Sequence, residues 1–134
     1  MGDLRKILAA LAALCATQAA ALPPSPHERA RVFADCAGWL LALEEHQRLF
    51  DGPASDVTAA RRAAFLDLLD AVLPDAEAQG LPEGTTLTWR VTARAEQAML
   101  LTRAAFAEDP HARPASAAAA EARVAGCLRL LPGT

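Results

Sequence analysis

The sequence predicts an all-α protein, an antiparallel four-helix bundle preceded by a cleavable signal peptide. Three observations predict it. Apolar residues recur at spacings of three and four in four separate segments. Cap and turn residues divide those segments at short intervals. A short apolar leader with a basic head stands in front of them.

The leader is "MGDLRKILAALAALCATQAAALPP". Arg5 and Lys6 form the basic head, and the run from Ile7 to Ala16 is almost wholly apolar. Small residues follow, and Pro23 and Pro24 stand behind them. These are the parts of a secretory signal peptide. Thr17 with Ala19, or Ala19 with Ala21, supplies the small residues that signal peptidase needs, so cleavage is expected after Ala19 or Ala21. The apolar run falls short of the roughly 20 residues that a membrane span requires. Residues 1–21 are therefore expected to be a signal peptide, and 22–134 a single helical domain with no membrane span after cleavage.

The first helix is expected over 26–50. Ser25, Pro26 and Glu28 form a capping box with proline at the first helical position. Val32, Phe33, Cys36, Trp39, Leu40, Leu43 and Phe50 make one apolar stripe, and Asp51-Gly52-Pro53 stops the helix. The second is expected over 55–79, starting near Ser55 or Asp56, with Val57, Ala64, Phe65, Leu68, Leu69 and Val72 as its apolar residues. Pro74 is expected to end or kink it, and Gly80 to close a last turn. "TLTWRVT" alternates like a strand, but no other segment offers a partner strand. A third helix is therefore placed at 86–108, with Leu87, Val91, Ala98 and Leu101 facing the core. The fourth is placed at 116–131, capped by Ser116 and ended by Pro132 and Gly133.

Composition narrows the function. The formal net charge is -3 and the pI about 5.5, which argues against a nucleic-acid surface. Tyrosine is absent, and lysine and isoleucine occur once each, as a GC-rich bacterial genome would produce. Loss of the leader removes Cys15 and leaves Cys36 and Cys127 in an oxidising compartment. Both lie on apolar faces, one in the first helix and one in the last, so a disulfide is expected. No CxxC or CxxCH is present, so no zinc knuckle, redox pair or covalent haem is expected, and no cofactor.

"ADCAGWLLALEEHQRLFDG" gathers most of the chemistry-bearing side chains. On a helix those side chains diverge. With Cys36 at zero, Glu44 falls near one edge of the apolar face, His46 near the other, and Glu45 points away. Glu44-Glu45-His46 is therefore not read as an acid/base site, and Glu44 with Arg48 is read as a surface pair. Gln47 falls near the centre of the stripe and is expected to be a buried polar residue with a cross-helix hydrogen bond, to Thr102 or a loop carbonyl. Arg61 and Arg94 are expected to lay their stems on the core. His27 and His111 have no companion at ligand spacing, and Ser25, Ser55 and Ser116 read as caps. With GxSxG, P-loop, GxGxxG and HExxH motifs absent, no catalytic or metal residue is assigned. Trp89 with Leu100 on the outward line of the third helix is expected to mark a partner surface, unless Trp89 sits on an irregular first turn and folds over the bundle end.

The layout resembles, in type only, the small exported helical proteins of GC-rich Gram-negative bacteria. The LTxxQ repeat of the Spy-like periplasmic chaperones and the CxxCH of the c′-type cytochromes are both missing. The expected function is therefore binding or an accessory role: a periplasmic or secreted protein that contacts an envelope protein, not nucleic acid. A helical bundle that binds a small molecule or cofactor is the alternative, and an enzyme of unrecognised type the third reading.

Overall fold

The structure is a computed structural model that describes residues 22–133; the expected signal segment, 1–21, lies outside them. The described residues form helices α1 (Pro26–Arg48), α2 (Gly52–Ala78), α3 (Thr85–Phe106) and α4 (Ala112–Leu128), with no strand among them. "TLTWRVT" is the opening of α3.

Local chemistry sets the helix ends. Ser25 Oγ accepts the Glu28 N–H at 3.1 Å and donates to the Glu28 carboxylate at 2.9 Å, with Pro26 next to the cap. α2 starts earlier than expected because Asp51, rather than Ser55, is the cap: its Oδ1 accepts from Ala54 N at 3.1 Å. Ser55 is instead buried inside the helix. Pro74 lies within α2, which runs on to Ala78. The helix stops where Gly80 takes φ +95°, Gly80 N–H bonds Glu77 O, and Leu81 N–H bonds Ala76 O. That is a Schellman end, and its following residue, Leu81, is buried against the core. α4 starts before Ser116, in a turn where Asp109 Oδ1 accepts the His111 N–H at 2.9 Å; Ser116 is buried.

α1 and α2 run antiparallel, with Gln47 against Thr58 and Glu44 against Arg62, and so do α3 and α4, with Gln97 against Ala120 and Ala107 against Arg113; α1 and α3 run parallel, with Arg31 against Trp89 and Glu45 against Arg94. The helices do not form a square. α1 is the hub, with α2, α3 and α4 all against it, and α3 and α4 against each other. Among the described residues the backbone of α2 approaches neither α3 nor α4. α1 and α3 approach closely at Gly38, where an added Cβ would lie 2.4 Å from Arg90 O and 2.8 Å from Ala93 Cβ.

The core is lopsided. Phe33, Leu40, Phe65, Leu69, Val72 and Leu81 fill the α1–α2 side with bulky groups, Phe33 and Phe65 having ring centroids 6.2 Å apart. On the other side α3 buries only Ala93 and Gln97, and α4 only Ser116, Ala120 and Cys127. The Cys36–Cys127 disulfide is formed, with Cα atoms 5.7 Å apart, and ties α4 to the hub helix.

Candidate functional site

The face of α3 is inverted relative to expectation. At about 100° per residue, Trp89, Ala93, Gln97, Leu100 and Ala104 share one side, and Leu87, Val91, Met99 and Phe106 the opposite side. The first set is the inward one. Small Ala93 can approach Gly38, and Trp89 packs on the α1–α2 core between His27 and Arg31. Trp89 and Leu100 do share a line, but both are half-buried, so they are not the outward pair. Leu87, Val91, Met99 and Phe106 are exposed by 55%, 57%, 62% and 73% instead. Leu49 and Phe50, at the end of α1, are exposed as well.

A second feature follows from the lopsided core. Where α1, α3 and α4 meet, alanines at 104, 105, 117, 120 and 125 leave a groove of about 510 Å³. Leu43, Leu101, Val124 and Leu128 wall it, Gln97 and Ala120 form its buried floor, and His46 and Glu121 stand at its mouth. Gln97 is fully buried. Its Nε2 donates to Ala120 O at 3.1 Å, while its Oε1 has no hydrogen-bond partner among the described residues. Ala120 O can only accept, which fixes the amide orientation. An unpaired buried acceptor costs about 1–3 kcal/mol.

Gln47 does make a cross-helix hydrogen bond, but it accepts from Thr58 Oγ1 at 2.6 Å rather than meeting Thr102. It is half-buried, because it sits in the last turn of α1. The buried carboxylate is Glu44, which was expected at the surface; it is fully covered and bonds both Arg48 and, at 2.7 Å, Arg62 of α2. Packing on several sides of α1 is what buries a residue at the edge of its stripe. Arg62, not Arg61, is thus the arginine of α2 that reaches the hub. Arg94 makes two hydrogen bonds to Glu45, at 2.9 and 3.0 Å, and that pairing raises its pKa. Asp35 has its pKa raised by burial, against the lowering effect of its Arg31 partner.

His46 and Arg94 line different grooves and are not brought together. Among the described residues no group of three His, Cys, Asp or Glu side chains could hold a metal ion. No described helix is long and apolar enough to cross a membrane. Compared with protein-family models, curated proteins and solved structures, the chain matches none.

Proposed function

We propose that this chain is a small exported protein of the cell envelope, periplasmic or secreted, that works by binding. It docks an envelope protein on the outward side of α3. The observation that carries this reading is the exposed stripe of Leu87, Val91, Met99 and Phe106. Several large apolar side chains left exposed along one helix of a small domain fit a place where a partner sits. The basic and apolar leader and the Cys36–Cys127 bond support export.

A photo-crosslinking residue at Val91, expressed with the full chain in a Gram-negative host, tests this. The expected result is a discrete crosslinked product with one envelope protein, from a chain whose intact mass lacks the first 19 to 21 residues. Met99→Asp should abolish the product while leaving the helical circular dichroism unchanged. A crosslink pattern that ignores Met99→Asp would remove the surface, and retention of Met1 to Ala16 would remove export.

A further inference from the structure

We propose that the groove between α1, α3 and α4 is a binding site for a small apolar molecule with a hydrogen-bond-donating head, such as a medium-chain alcohol or amine. The site is distinct from the α3 stripe, which lies on the opposite side of the helix. Its volume of about 510 Å³ lies within the range of small-molecule sites, roughly 300–1,000 Å³. Its walls are aliphatic, so they hold a chain rather than a polar body.

The polar groups select the head. Gln97 Oε1 is a buried acceptor in the floor with no partner among the described residues. Its amide cannot flip to offer the nitrogen, because Nε2 is committed to Ala120 O. Glu121, at the mouth, is a second acceptor. Among the described residues no arginine or lysine lines the groove, so a carboxylate head finds neither there. An acceptor in the floor and another at the mouth, against the single imidazole of His46 at the mouth, favour a donor at the floor, neutral or positive. Oε1 has no exposed surface, so the amide pivots about its Nε2–Ala120 O bond to turn Oε1 into the groove as the head arrives, and the tail then runs along Leu43, Leu101 and Val124.

Titration calorimetry of the mature protein with decan-1-ol, decylamine and decanoate, each below its aggregation limit, tests the assignment. The alcohol and the amine should bind saturably at one per chain, with decanoate at least tenfold weaker. Gln97→Met keeps the shape and removes the acceptor; it should weaken the alcohol by about five- to tenfold or more. Glu121→Gln, at an exposed position, should weaken the amine by more than the alcohol, which keeps the test open should Gln97→Met fold poorly. Ala105→Phe should fill the groove and abolish binding of both. Equal affinity for all three probes, or no saturable binding, would overturn the proposal. So would wild-type affinity in a folded Gln97→Met. Met99→Asp, on the far side of α3, should bind the probes like wild type, so loss of the docking surface and loss of the groove are read separately.

Discussion

Glu44 is a carboxylate with no exposed surface, held by two arginines of unequal standing. Arg48 lies on its own helix and is 61% exposed; Arg62 comes from α2 and is 28% exposed. Removing one member of a buried ion pair strands the other, whereas replacing the buried group itself with an apolar one can be neutral. Arg62→Leu should therefore cost about 2–3 kcal/mol, somewhat below the roughly 3–5 of a fully buried pair, because Arg48 remains. Arg48→Ala should cost no more than about 1 kcal/mol, as a largely solvated partner. Glu44→Leu should fall within about 1 kcal/mol of wild type, since the arginine heads can turn to water. Urea unfolding of the three variants ranks them, and a Glu44→Leu loss larger than that of Arg62→Leu would sink the account. From sequence, Glu44 and Arg48 have the spacing of an ordinary surface pair. Only the arrival of α2 over that edge of α1 makes them different.

At the scale of the element, α1 and α3 set the geometry. Gly38 lets the backbone of α3 come within reach, and a Cβ there would meet Arg90 O at 2.4 Å. On an exposed helix Gly→Ala gains about 1 kcal/mol. Here the added methyl meets backbone, which cannot rotate aside, so Gly38→Ala should instead destabilise by about 2–3 kcal/mol. Gly126→Ala on α4 is the control, since an added Cβ there meets only the Arg129 side chain at 3.8 Å. Thermal melts in which both substitutions behave alike would remove the close-approach argument. This contact also explains what was legible in the sequence. The four helices are, because the apolar spacing, the Ser25 capping box and the Gly80 stop are local signals. The face of α3 is not. That helix carries two apolar sides, one with Leu87, Val91 and Met99 and one with Trp89, Ala93 and Leu100. Its bulkier aliphatic side reads as core by burial value alone. Which side turns inward is decided by the glycine on another helix, a contact 55 residues away in the chain. The groove is invisible for the same reason: alanines report short side chains, but not that several of them face one another across α3 and α4.

At the scale of the whole molecule, the lopsided core makes the covalent bond matter most for α4. Bulky groups hold α2 to α1, but α4 buries little beyond Ser116, Ala120 and Cys127, and meets α1 over a short stretch. Cys36–Cys127 spans a sequence separation of 91. Closing a loop of that length restricts the unfolded chain by about 4–5 kcal/mol on the chain-entropy argument. That is a large part of the 5–15 kcal/mol typical of a domain. Reduction should therefore lower the melting temperature by more than about 10 °C. The Cys36→Ala, Cys127→Ala double variant should melt near the reduced protein and show no response to reductant. The loss should also be uneven. Amide exchange in α4, and in the half of α3 that packs on it, should accelerate before that of α2, whose contacts with α1 do not pass through the disulfide. Two outcomes would count against this: a melting temperature indifferent to reductant once both thiols are shown to be free, or exchange that quickens in α2 as early as in α4. The second would mean that the four helices open as one unit and that the aromatic side of the core also holds α4.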